Sequence, residues 1–189
     1  MGFNVSWLAV RGQERASLLR ELGLAATGDV RDYPEGMECL CELPEGAKLL
    51  FLNHPWHRFI EAKALASLSK GCEVTGCRIE EHNMSSASFM WKNGECIWSV
   101  VHAAEKNVRN LHITGAPPPA LEALRATALQ QQNAERGPFS FFGLLRAEFD
   151  HFFRVPLDLA AEMVGYEHDK VRQTWGKARY EVLTSQALH

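Results

Sequence analysis

Several features that mark large functional classes are missing from this sequence. No run of about 18 apolar residues occurs, so no transmembrane helix is expected. The 20 basic side chains are outnumbered by 23 acidic ones, and the net charge of −3 argues against nucleic acid or an anionic membrane as a partner. The first residues contain neither a basic segment nor a cleavage motif, so no signal peptide is expected.

The motifs of common enzyme mechanisms are also missing. Neither G-x-G-x-x-G nor G-x-x-x-x-G-K occurs, so no phosphate-binding loop is expected. The G-x-S-x-G motif of serine hydrolases and the H-E-x-x-H motif of zinc proteases do not occur either. We therefore predict no catalytic residue, no metal site and no cofactor.

Cysteine is present, but its spacing does not suggest disulfide bonds. No C-x-x-C motif occurs, and an odd number of cysteines does not suit a disulfide framework. The five are Cys39, Cys41, Cys72, Cys77 and Cys96. Such usage is typical of a reducing compartment, and we expect a cytoplasmic protein.

The length of 189 residues suits one domain, which we expect over residues 1–166. Within it we predict a βαββαβ unit at 1–80, a β-meander at 81–115 and a helical cover at 116–166. Residues 167–189 are polar and mixed, and we expect a C-terminal tail that is partly disordered.

The first 80 residues alternate between strand and helix patterns. The strand patterns cover residues 3–10, 37–43, 47–53 and 72–79. The first and third are apolar on both faces, which is typical of strands covered on both sides. The order β-α-β-β-α-β predicts a ferredoxin-like unit, in which strands one and three are central and strand two is an edge.

Strand two carries most of an acidic stretch. It alternates Met37, Cys39, Cys41 and Leu43 with Glu38, Leu40 and Glu42, which predicts one buried and one solvated face. From Asp29 to Glu45 there are six acids and one base. The stretch is either a solvated face or a docking surface for a basic partner, with Glu38 and Glu42 as candidate contacts.

Residues 53–71 predict the second helix, with Pro55 at its first position. His54, His57 and Glu61 have a spacing that metal sites use. His54 falls in the cap rather than on the helix, however, so no metal is expected there.

Asn93-Gly94 predicts the two-residue turn of a β-hairpin. This turn pairs Trp91 with Cys96, Phe89 with Trp98, Ala87 with Val100, and Ser85 with His102. All eight side chains are then expected on one face. With a further strand at "NLHITG", the predicted fold class is α+β: a ferredoxin-like unit extended by a hairpin and meander, with C-terminal helices packing on the sheet.

A Pro-initiated helix follows and ends before Gly137-Pro138. Residues 139–153 then hold six of the ten phenylalanines. We interpret this segment as cover for the second face of the sheet. The alternatives are a groove for a partner or a self-association surface that would make a homodimer.

The open end of the hairpin holds the candidate chemical site. Glu80, Glu81 and His82 lie where a strand ends, and His102 lies on the returning strand. Paired carboxylates with a histidine suit acid–base catalysis or metal binding. Because successive strand residues point to opposite faces, at most two of the first three converge. The competing interpretation is a polar rim or a partner contact.

Three segments resemble those of a group of small bacterial proteins that carry no assigned function. They are "FNVSWLAVRG", "EEHNMSSASFMW" with "IWSV.H", and "VPLDLAAEMVGYEHD". The resemblance covers most of the chain up to about residue 169. It implies a bacterial cytosolic protein and leaves the role open.

The leading hypothesis is a non-enzymatic protein-binding protein. Its concrete form is an immunity-type protein that neutralises a cognate basic toxin through the acidic strand. One alternative is a small enzyme or metal-binding protein that uses Glu80, Glu81, His82 and His102. The other is a small-ligand-binding module on the open face of the sheet, with Trp98 and Phe89 lining the pocket.

Overall fold

The computed structural model describes residues 2–34, 36–135 and 149–186, and these form a mixed α+β fold as predicted. The strands are β1 (Asn4–Arg11), β2 (Leu24–Arg31), β3 (Cys39–Glu42), β4 (Lys48–Leu52), β5 (Glu73–Glu80), β6 (Ser85–Lys92), β7 (Glu95–Ala103), β8 (Leu111–Gly115), β9 (Arg172–Gln173), β10 (Gly176–Lys177) and β11 (Tyr180–Ser185). The helices are α1 (Arg15–Leu22), α2 (Ala62–Leu68), α3 (Ala120–Glu135) and α4 (His151–Val164).

Among the described residues, no helix is long and apolar enough to cross a membrane.

Nine strands form one antiparallel sheet in the order β2-β11-β3-β4-β1-β5-β6-β7-β8. Strands β9 and β10 form a separate ribbon. The four strands predicted from the first 80 residues lie side by side as β3-β4-β1-β5. The hairpin β6–β7 and strand β8 continue the sheet on the β5 side, so the predicted meander extends the same sheet.

Strand β3 is not at an edge, and that prediction was wrong. It pairs with β11 through Leu40 opposite Glu181 and Cys39 opposite Val182, and β2 lies beyond β11. Leu40 is 2% exposed and packs with the residues under α1, so both faces of β3 are covered. The partner strand β11 lies about 140 residues away in sequence, so nothing within residues 37–43 indicates that β3 is paired on this side.

The predicted C-terminal tail contains that partner strand. Tyr180 is 2% exposed, and its hydroxyl group donates a hydrogen bond to the hydroxyl oxygen of Tyr166 at 3.2 Å. Val182 and Leu183 are also buried. The segment "YEVLT" has the aromatic and β-branched content of a strand, and pairing with β2 and β3 fixes it in the sheet.

Helices cover both faces of the central strands. Successive residues of each strand point to opposite sides, so each strand contributes side chains to both cores. Helices α1 and α2 cover one face, whose core includes Leu8, Val10, Leu18, Leu50, Leu65 and Val74. Helix α4 covers the other, whose core includes Trp7, Ala9, Cys41, Phe51, Phe153 and Leu157. Helix α3 packs beside α4 over β7. We call the side of the sheet that α1 and α2 cover the α2 face, and the side that α4 covers the α4 face.

Part of the predicted phenylalanine cover lies in α4. Asp150 caps this helix, since its Oδ1 accepts hydrogen bonds from the backbone N–H groups of Phe152 and Phe153 at 3.1 Å. Both phenylalanine side chains are buried against the sheet. Residues 139–148, and the predicted helix end at Gly137-Pro138, lie outside the described residues.

Helix α2 begins later than predicted. His54 Nδ1 accepts a hydrogen bond from the backbone N–H of Trp56 at 3.0 Å, and His57 Nδ1 accepts one from Phe59 at 3.3 Å. Each histidine thus closes a local turn by side-chain capping, and such turns compete with a continuous helix. The chain forms a single 3-10 turn at Arg58–Ile60 before α2 starts at Ala62.

The predicted hairpin turn is confirmed. Asn93 and Gly94 both have positive φ, 52° and 87°, as a two-residue hairpin turn requires. Next to the turn, Trp91 lies opposite Cys96, as the sequence predicted.

Beyond that pair the predicted register was wrong by one residue. Met90 lies opposite Trp98, so Ile97 is an extra residue in a β-bulge. The bulge lies against Gly115 of the edge strand β8. A Cβ atom on residue 115 would lie 2.0 Å from the carbonyl oxygen of Ile97. Only glycine therefore allows β8 to approach the bulge this closely.

The bulge divides the hairpin side chains between the two faces. Those on the α2 face are Ala87, Phe89, Trp91, Cys96, Ser99 and Val101. Those on the α4 face are Ser86, Ser88, Met90, Trp98, Val100 and His102. The predictions that the eight hairpin residues share a face, and that Trp98 and Phe89 line one pocket, were therefore wrong.

Candidate functional site

The α2 face carries a cleft of about 470 Å³ where the sheet extends past α2. We call it the open-face cleft. Strands β6 and β7 form its floor, and the segment from Trp56 to Leu65 forms its wall. Its volume lies within the roughly 300–1,000 Å³ range of small-molecule sites.

The floor of the cleft is aromatic and apolar. Phe89 and Trp91 of β6 and Val101 of β7 line it. Gly76 of β5 lies opposite Phe89, and a Cβ there would sit 2.3 Å from ring atom Cε2 of Phe89. The missing side chain of Gly76 thus gives the phenyl ring room to lie across β5.

Arg78 of β5 brings a cation to this apolar surface. Its guanidinium carbon lies 3.8 Å from the centre of the Trp56 ring, a cation–π contact. Burial lowers the pKa of Arg78, and its Nε is buried without a hydrogen-bond partner. Among the described residues, the side-chain acceptor of Arg78 is Ser85 Oγ, which lies 3.5 Å from Nη2.

Two carboxylates on the α2 face, Glu80 and Glu38, bind other groups. Glu80 accepts hydrogen bonds from Trp56 Nε1 at 3.2 Å and from Asn83 Nδ2 at 2.8 Å. Glu38 Oε1 lies 2.8 Å from Nε2 of His57. Within the described ranges, no carboxylate lies within ion-pair distance of Arg78.

The four residues of the predicted chemical site do not converge. Glu80 shares the α2 face with Arg78, whereas His102 is buried on the α4 face. Glu81 Oε2 accepts a hydrogen bond from the backbone N–H of Phe3 at 2.7 Å, and His82 is exposed. Across the described part of the chain, no three His, Cys, Asp or Glu residues are placed to hold a metal ion.

His102 instead joins the sheet to α4. Its Nε2 lies 2.7 Å from Asp150 Oδ2, and its Nδ1 lies 2.8 Å from the carbonyl oxygen of Asn110. Each ring nitrogen of His102 therefore lies within hydrogen-bond distance of an oxygen atom. His102 is fully buried and the Asp150 side chain is 6% exposed, so this pair serves packing.

The remaining predicted contacts are scattered. Glu38 pairs with His57 behind the cleft wall. Glu42 is exposed at the end of β3, opposite Lys48. Trp98 is 2% exposed beneath α3 and α4.

The cysteines have little nucleophilic character. Burial raises the pKa of Cys39 to about 11 and that of Cys41 to about 12. Burial also raises the pKa of Cys96, the cysteine that lines the cleft. A thiol with a raised pKa holds little thiolate near neutral pH.

The sequence does carry a signal for Arg78. Strand β5 alternates Val74, Gly76 and Arg78 on one face, so Arg78 is a charge within a run of small and apolar residues. Trp56 left no comparable signal, because its place depends on where α2 begins.

No protein-family model matches the chain, and no curated protein or solved structure matches it either. The resemblance to small bacterial proteins therefore stays a prediction.

Proposed function

We propose that this protein is a non-enzymatic binding module that holds a small organic molecule with a flat, apolar body in the open-face cleft. The observation that carries the proposal is the shape of the cleft: an aromatic floor on β6 and β7 beside a wall formed by the segment from Trp56 to Leu65. A concave, mostly apolar surface with a few polar groups is the usual form of a small-molecule site.

The polar groups at the cleft suit binding better than catalysis. The Cys96 thiol has a raised pKa, and His57 bonds at both ring nitrogens, to Glu38 and to the backbone of Phe59. A general base needs a nitrogen or oxygen that can reach the substrate. His57 holds the wall of the cleft in place instead, and the Cys96 thiol donates to the carbonyl oxygen of Trp98.

The immunity-type role stays a prediction. Of its two candidate contacts, Glu38 is bonded to His57, while Glu42 is exposed. Co-purification with a toxin encoded beside its gene, and protection against that toxin, would be the test. The cleft supports a small ligand more directly, because its shape and lining lie within one chain.

We also propose that β1, α1, β3, β4, α2 and β5 form a ferredoxin-like unit. The strand order β3-β4-β1-β5 and the position of both helices on one face support this. Strand β2 would then be an insertion between α1 and β3. An experimental structure in which β1 does not lie between β4 and β5 would overturn the assignment.

Binding in the cleft can be tested with two probes of equal size, 1-naphthoate and 1-naphthamide. Tryptophan fluorescence would follow the titration, since Trp56 and Trp91 line the site. We expect at least one probe to bind with a dissociation constant at or below about 1 mM, given the ligand efficiency of small ligands.

A blocking variant locates the binding. Ser99→Trp places a large side chain on the cleft floor and should abolish binding. Ile97→Trp is the matched control, because Ile97 lies on the same strand, is 38% exposed and does not line the cleft. If neither probe binds the wild-type protein, or Ser99→Trp binds both normally, the proposed function is wrong.

A further inference from the structure

The charge of Glu80 compensates the desolvated guanidinium of Arg78 only in part, so burial still lowers the pKa of Arg78. Arg78 has no ion-pair partner among the described residues, and its buried Nε–H has no acceptor. The stacked Trp56 ring offsets only part of the lost hydration, since a cation–π contact contributes about 0.5–2 kcal/mol. An anion in the cleft would supply the missing partner.

The stacking on Trp56 does not occupy the terminal Nη donors of Arg78, of which Nη2 makes only a 3.5 Å contact to Ser85 Oγ. A guanidinium that lies over an aromatic ring keeps its N–H groups in its own plane, directed past the ring. Glu80 does not bind these donors directly: its two oxygens accept from Trp56 and Asn83, and it lies outside ion-pair distance of Arg78. The planar donors match the two oxygens of a carboxylate.

The charges around the cleft indicate how many negative charges a ligand carries. Arg78 is the one arginine or lysine among the residues that line it, within the part of the chain that the structure describes. Glu61 lies on the rim and adds a negative charge. This arrangement favours a monoanion over a dianion such as a phosphate monoester.

We propose that the ligand of the open-face cleft is a monocarboxylate, whose head group binds Arg78 and whose apolar body lies on Phe89 and Trp91. This inference rests on the function proposed above. Trp56 is a positioning residue, since it stacks on the guanidinium and holds it against the cleft wall.

The test compares 1-naphthoate with 1-naphthamide on three proteins. On the wild type we expect the carboxylate to bind about ten- to a hundredfold more tightly, as for a hydrogen bond to a charged group. Arg78→Met keeps much of the side-chain volume and should make the two affinities equal. Arg58→Met is the matched control and should keep the preference, because Arg58 also stacks on an aromatic ring, Phe59, but does not line the cleft.

The outcomes separate this inference from the proposed function. Equal affinities on the wild type, or a preference that persists in Arg78→Met, would overturn the carboxylate assignment and leave the cleft as a binding site. Tighter binding of 1-naphthyl phosphate that Arg78→Met abolishes would also overturn it, in favour of a phosphate head group. Failure of every probe to bind would overturn both proposals.

Discussion

Strands β5 to β7 direct alternate side chains toward α4 and toward the open-face cleft. These side chains are neighbours in sequence, but their surroundings differ. His102 on the α4 face is fully buried and bonds at both ring nitrogens. Arg78 on the α2 face retains an unpaired Nε beside an aromatic ring that is itself 56% exposed, that of Trp56. On the α4 face the polar group is fully bonded within the fold, whereas on the α2 face the proposed ligand would meet Arg78.

The two hairpin tryptophans give the largest expected contrast between the faces. Trp98→Ala removes a side chain that is buried beneath α3 and α4, and should lower the free energy of unfolding by about 3–5 kcal/mol. Trp91→Ala removes a partly exposed ring from the cleft floor and should cost clearly less, while weakening probe binding. Urea unfolding and the fluorescence titration measure the two effects. Equal losses for the two variants would mean that the cleft floor contributes as much to the stability of the fold as the α4 face does.

The buried ion pair gives the next contrast. Asp150→Ala leaves His102 without its partner and removes the cap of α4, so we expect a loss of about 3–5 kcal/mol in the free energy of unfolding. Asp32→Ala is the control, because it breaks an exposed ion pair with Lys177 and should change stability very little. Similar losses for the two variants in urea unfolding would argue against a structural role for the buried pair.

Local signals explain what the sequence predicted well. Asn93-Gly94 determined the turn, because positive φ at both positions is a property of those two residues. The apolar runs of β1 and β4 likewise predicted strands that are covered on both faces. Such features depend on neighbours a few positions away.

Tertiary contacts explain what the sequence did not predict. The bulge at Ile97 depends on the approach of Gly115 from another strand, and the environment of β3 depends on β11. The cleft depends on where α2 begins, which the side chains of His54 and His57 decide. Arg78 was visible as a charge in an apolar strand, but its lack of a partner is a property of the folded protein.

The α4 face should also respond to pH through His168, which is 4% exposed and packs edge-on against Phe3. Burial lowers the pKa of His168 to about 4. An unfolded histidine takes up its proton near pH 6.5, so between pH 6.5 and 4 only the unfolded state gains this proton. Stability should therefore fall as the pH falls through this window, by roughly 3 kcal/mol in total.

Urea unfolding between pH 7 and pH 4 would measure this dependence against His168→Leu. The variant lacks the titrating group, so its free energy of unfolding should fall less over the same window. The groups nearest to His168, including Arg154 and Asp169, remain in both proteins. Parallel pH profiles for the two proteins would show that His168 does not carry the effect.

Removal of Arg78 should have the smallest effect on stability and a large one on binding. Arg78→Met removes a partly desolvated charge that has no ion-pair partner in the part of the chain that the structure describes. It also keeps much of the apolar volume, so the free energy of unfolding should stay unchanged or rise slightly. Urea unfolding without ligand would measure this, with Asp150→Ala as the contrasting variant. A clear loss of stability would mean that Arg78 serves the fold as His102 does, and the difference between the two faces would disappear. Unchanged stability with a lost preference for carboxylate would mean that Arg78 serves the ligand and not the fold.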